Sequence, residues 1–174
     1  MVEQAQRPSV AALAAALVGA GLLIVSAFLV WGSLDIKIGT ISEKGTDSAA
    51  GLAVVVLGVG VIALLLGWWA GLPPKFVRIG WALFGIAAVS LSIYALIQIN
   101  NAPADFFSDV SASIKDSGLS GVLGEIGVDR GDASDVASAI VSVDYGAGVF
   151  VAMAGGIATL VAALAGRPRD VTVR

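Results

Sequence analysis

The chain has 174 residues, 57% of them hydrophobic and 13% charged, with a mean hydropathy of +0.94. A soluble domain carries about 25% charged residues, so an ordinary water-soluble globule and a disordered chain are both excluded. Ten Lys and Arg against thirteen Asp and Glu give a net charge of −3, the wrong balance for a nucleic-acid binder.

There is no Cys and no His. This removes disulfides, thiolate nucleophiles, Ser-His-Asp and Cys-His catalysis, and zinc or haem held by those side chains. Carboxylate-only and Ser–Lys or Ser–Tyr arrangements stay open, but no recognisable catalytic spacing is present. The expectation is a protein that is not an enzyme and holds no cofactor.

Four uncharged stretches of about 20 residues or more follow in chain order. They cover residues 10–31, 49–72, 77 or 79 to 99, with Arg78 at its edge, and 145–166. A backbone crossing lipid must satisfy its own hydrogen bonds, so these read as helices rather than barrel strands. Arg7-Pro8-Ser9 opens the first, and Asp47-Ser48 caps the second. Gly71-Leu72-Pro73-Pro74 turns the second into the third. Asn100-Asn101-Ala102-Pro103 is expected to end the third, and Gly166-Arg167-Pro168 the fourth. The first apolar run is too long for a signal-peptide core and reads as an uncleaved span.

The charges sort by side. The N-terminus, the 73–78 turn and the C-terminal tail hold six Lys or Arg against Glu3 and Asp170, and residues 32–48 and 100–144 hold four against eleven acids. The positive-inside rule therefore puts both termini in the cytoplasm and loops 32–48 and 100–144 outside. Trp68, Trp69 and Trp81 are expected at the inner interface, and Trp31 and Tyr145 at the outer one. The fold class expected is an all-α membrane protein, an up-down four-helix bundle forming one domain in the plasma membrane. A small β element and a short amphipathic helix are expected in the outer loops.

Small residues mark helix contacts in lipid, because they let backbones approach. Ala12, Ala16 and Ala20 form such a row on the first helix. Gly148, Ala152 and Gly156 form one on the fourth, with Gly155, Thr159 and Ala163 on the next row. These faces are read as contacts within the chain or with another subunit. The membrane interior is expected to hold no Asp, Glu, Lys or Arg, which argues against a proton-coupled transporter. Ser90, Tyr94 and Gln98 recur every fourth residue and define a polar seam on one face of the third helix. It reads as interhelical hydrogen bonding in preference to a solute path.

In the first outer loop, Leu34 to Ile41 alternates apolar and polar residues, so it is predicted as a strand or a hairpin turning near Gly39. Residues 139–143 are a second candidate strand, expected to pair with the first. Ala104–Asp116 has amphipathic helical spacing. Glycines at 118, 121, 124 and 127 suggest a flexible apolar segment. Asp129, Asp132 and Asp135 are a weak candidate set of oxygen ligands for Ca²⁺. The preferred reading there is a solvated acidic loop with Asp132 as a cap.

Trp31 ends the first span, Gly51-Leu52 opens the second, Arg78-Ile79-Gly80 leads into the third and Tyr145-Gly146-Ala147-Gly148 into the fourth. In this layout the chain resembles small four-span actinobacterial membrane proteins such as the tryptophan-biosynthesis-associated membrane protein family. The resemblance implies four-span topology and carries no activity with it. The function expected is a non-enzymatic accessory, scaffold or assembly subunit, with the lipid bilayer and other membrane subunits or a second copy as partners. The alternatives are a small-solute or lipid-handling membrane protein, and an extracytoplasmic sensor or adhesion module using the acidic loop.

Overall fold

The computed structural model describes residues 9–36, 39–116 and 141–165. The chain is mostly helical, with a small sheet set between the helices in sequence. Helix α1 spans Val10–Ser26, strands β1 and β2 span Val30–Ile36 and Gly39–Lys44, and a 3-10 turn covers Gly45–Asp47. Helices α2, Ala49–Trp69, and α3, Pro74–Asp116, follow, then strand β3, Val141–Tyr145, and helix α4, Ala147–Ala165.

Among the described residues, three helical segments are long and apolar enough to cross a membrane: Ala49–Trp69, Pro74–Asn101 and Ala147–Ala165. Helix α1 is shorter, 17 residues, or about 25 Å at ~1.5 Å per residue. The first apolar run was expected to stay helical to Trp31, and it does not. Three i→i−3 bonds, Ala27 N to Ile24 O, Phe28 N to Val25 O and Leu29 N to Ser26 O, close the helix end. The chain then enters β1 at Val30. An unbroken apolar run does not distinguish helix from buried strand. Here the ladders on both sides of β1 decide in favour of strand.

Local chemistry accounts for the other boundaries. Ser9 caps α1, its hydroxyl accepting from Ala12 N at 3.1 Å. Ser48 caps α2 through Gly51 N at the same distance. The end of α2 is a Schellman motif: Leu72 N donates to Gly67 O and Gly71 N to Trp68 O. Gly71 takes φ +101°, a conformation that disfavours any side chain.

Helix α3 runs for 43 residues, through the Asn100-Asn101-Ala102-Pro103 sequence expected to stop it. The apolar segment and the amphipathic segment predicted after it are therefore one helix. Proline's fixed φ suits a helix, and its main loss is one backbone donor. The bond lost is the one to Ile99 O, four residues back, and the helix continues past it.

The sheet order is β2-β1-β3, with both pairings antiparallel. In register, Leu34 pairs with Ile41 in the hairpin and with Val143 on the other side. The strand pairing of residues 34–41 with the end of the long loop is thus present. In the hairpin, Val30 pairs with Lys44 and Gly32 with Glu43. Trp31 is the extra residue of a bulge, a device that redirects a side chain.

The helices pack in cyclic order. Helix α1 lies against α2 and α4, and α3 against α4 and α2. Ala12, Ala16, Ala20, Val61, Val77, Trp81 and Ala162 form one core cluster toward the Pro73 turn. Leu23, Trp31, Val54, Ala88, Val149 and Ala152 form the other, toward the sheet. Trp81, expected at an interface, is fully buried. It meets Trp68 edge-on at 5.6 Å, and its indole N–H donates to Val61 O at 3.4 Å.

Candidate functional site

Trp31 joins the sheet to the helices. Its indole is 3% exposed, and its N–H donates to Ser26 O at 2.7 Å. Two glycines make room for it. A Cβ on Gly45 would lie 2.6 Å from Trp31 Nε1, and one on Gly148 would lie 2.3 Å from Trp31 Cδ1. Trp31 was expected at the outer membrane interface. It is instead a buried wedge, because the bulge turns it inward.

One side of Trp31 faces a cleft of about 250 Å³. Strands β1 and β2 contribute Trp31, Gly32 and Glu43. The start of α2 contributes Ser48, Ala49 and Ala50, and α3 contributes Tyr94, Ala95, Gln98 and Ile99. Ile99 packs on the sheet where Gly32 has no side chain, within 3.2 Å of where a Cβ would sit. Tyr145 at the end of β3 donates to Asn100 Oδ1 at 3.2 Å, a second tie between the sheet and α3.

The polar groups at the cleft differ in what they leave free. Ser48 is committed, since its hydroxyl donates to Gly45 O and accepts from Gly51 N. Gln98 Nε2 donates to the Tyr94 hydroxyl, which leaves the Tyr94 proton and the Gln98 carbonyl oxygen for another partner. Glu43 is exposed and has no hydrogen-bond or ion-pair partner among the described residues.

The seam residues Ser90, Tyr94 and Gln98 are all exposed. Tyr94 and Gln98 line the cleft, and Ser90 does not. Among the described residues, the polar side chains buried among the helices are Ser26, Ser92 and Thr159. Each donates to a carbonyl of its own helix, Leu23, Ala88 and Gly155 respectively. They satisfy themselves locally and do not bridge helices. Sequence spacing had singled out the seam. It had not found Glu43 or Trp31, which reach the cleft only through the hairpin.

The small-residue rows lie inside the structure. Ala12, Ala16, Ala20 and Ala152 are at most 1% exposed, and Gly148 and Gly156 are buried. Helix α4 is approached on two sides. A Cβ on Gly155 would meet Gly19 O of α1 at 3.0 Å, and one on Gly156 would meet Gly85 O of α3 at 3.1 Å. Asp129, Asp132 and Asp135 lie outside the described residues, as do glycines 118, 121, 124 and 127. Among the described residues no group of three His, Cys, Asp or Glu is placed to hold a metal ion.

These features define a helical protein with three membrane-length apolar helices and a small sheet that closes one end over a cleft. No family model, curated protein or solved structure matches the chain.

Proposed function

We propose that the chain is a four-span plasma-membrane protein that serves as a non-enzymatic accessory or assembly subunit of a larger membrane complex. Both termini and the Pro73 turn face the cytoplasm in this reading, and the sheet lies outside. The observation that carries it is the character of the outward helix faces. Leu17, Val56, Ile86 and Leu164, one from each helix, are all more than half exposed. Large apolar side chains around the whole circumference suit lipid and not water. Helix α1 is short for a span, and the apolar Ala27-Phe28-Leu29 turn with local bilayer adjustment makes up the difference.

The accessory role rests on where surface remains for a partner. The small-residue faces, including Ala12, Ala16, Ala20, Gly148, Ala152 and Gly156, are occupied within the chain. The sheet end is different. Helix α3 continues 15 residues beyond Asn101, about 22 Å at ~1.5 Å per residue. That arm and the sheet form a platform for contacts above the membrane.

The test is purification of a tagged chain at native level in mild detergent. The expected result is stoichiometric recovery of the same membrane proteins in repeated preparations. Recovery of the chain alone, or with partners that change between preparations, would sink the assembly role. Release from membranes by alkaline carbonate would sink the membrane assignment itself.

A further inference from the structure

The cleft under the sheet combines groups of one recognition type. Glu43 offers a carboxylate with no partner among the described residues. Gln98 offers a carbonyl oxygen, held in place because its amide is engaged by Tyr94. Acceptors and negative charge outnumber donors, so the complementary guest is cationic and rich in N–H. The walls are Trp31, Ala50, Ala95 and Ile99, so the guest also carries apolar surface. The volume, about 250 Å³, is several times the roughly 30 Å³ that one liquid water takes. A headgroup fits where a lone ion would leave most of the cleft unfilled.

Position supplies the source. The cleft lies where the apolar helices meet the sheet, and Leu52 and Ile97, within two positions of its lining residues in sequence, are more than half exposed. If the helices span a bilayer as proposed above, on which this inference rests, the cleft sits at the headgroup level of the outer leaflet. Its apolar side is then continuous with lipid tails.

We propose that the cleft binds a phospholipid bearing a primary ammonium headgroup, with Glu43 facing the ammonium and Gln98 accepting one of its hydrogen bonds. The Tyr94 hydroxyl proton donates to a phosphate or ester oxygen. Trp31 and Ile99 cover the glycerol and first methylenes. The preference for an amine head comes from Glu43, because an anionic head of the same size meets an unpaired carboxylate there.

Native mass spectrometry of the full chain in detergent tests this. Phosphatidylethanolamine and phosphatidylglycerol with identical acyl chains are titrated separately. The wild type is expected to retain the amine lipid about fivefold more tightly or better, as suits a single charge pair at an interface. Glu43→Gln, at an exposed position, is expected to bring the two lipids to parity while far-ultraviolet circular dichroism stays unchanged. Gln98→Leu is expected to weaken the amine lipid without abolishing the preference. Equal retention of the two lipids by the wild type, or an unchanged preference in Glu43→Gln, overturns the proposal. Saturable competition by soluble phosphoethanolamine at concentrations near those of the lipid overturns the lipid source in favour of a free small molecule. Failure of the membrane reading is separable. A chain that stays monodisperse without detergent fails the membrane assignment, whereas a chain that needs detergent and shows no headgroup preference fails only this site.

Discussion

The α1–α4 and α2–α3 contacts both use glycine, and they use it in opposite ways. Between α1 and α4 the glycines bring backbones together. A Cβ on Gly19 would lie 2.5 Å from Thr159 Oγ1 and 2.9 Å from Gly155 O. Between α2 and α3 the glycines are sockets for large side chains. A Cβ on Gly60 would meet the edge of the Phe84 ring at 2.6 Å, and one on Gly80 would meet Leu64 Cδ1 at 2.4 Å. A glycine facing another helix's backbone fixes the distance between axes. A glycine facing a ring or a leucine end only shapes a hollow that the side chain can leave by rotating.

The largest expected effect lies at the sheet end of the α1–α4 pair, where Trp31 fills the space left by Gly45 and Gly148. Trp31→Ala is expected to cost about 3 kcal/mol or more and to lower the thermal midpoint in detergent sharply. A small change there would mean that the indole is not what joins the sheet to the helices. Gly19→Ala comes next, at about 1–3 kcal/mol, because the backbone it meets cannot step aside without parting the helices. Ser48→Ala removes the cap of α2 and is expected to cost about 1 kcal/mol, read as a lower midpoint with unchanged helical content. Gly60→Ala is expected to cost less than about 1 kcal/mol, because Phe84 can swing away. If Gly60→Ala and Gly19→Ala shift the midpoint equally, the two glycine roles described above are not distinct.

Much of the architecture was legible in the residues, and its limits are physical. Ser9 and Ser48 mark helix starts because a short hydroxyl side chain can bond a free N–H two or three residues ahead. Gly71 marks a stop because it can take a positive φ. The alternation from Leu34 to Ile41 marks a hairpin because a strand has a two-residue period. The reading failed at Phe28-Leu29-Val30-Trp31, where unbroken apolarity suits helix and strand alike. It failed again at Pro103, where a local stop signal proved only a local cost. At the candidate cleft, Tyr94 and Gln98 were visible as a helical row. Glu43 and Trp31 were not, because neither is near them in sequence.

The sequence by itself therefore determined where the apolar helices start, which residues cap and turn them, and that strands lie between them. These depend on neighbours within about one helical turn, and the chemistry is written locally. Only the tertiary structure decided that Gly19 would meet Gly155, that a bulge would turn Trp31 inward between Gly45 and Gly148, and that the hairpin would carry Glu43 over Tyr94 and Gln98. Those contacts join distant parts of the chain, and many residues share the small or apolar character that each requires. Composition permits such contacts, and packing geometry selects among them.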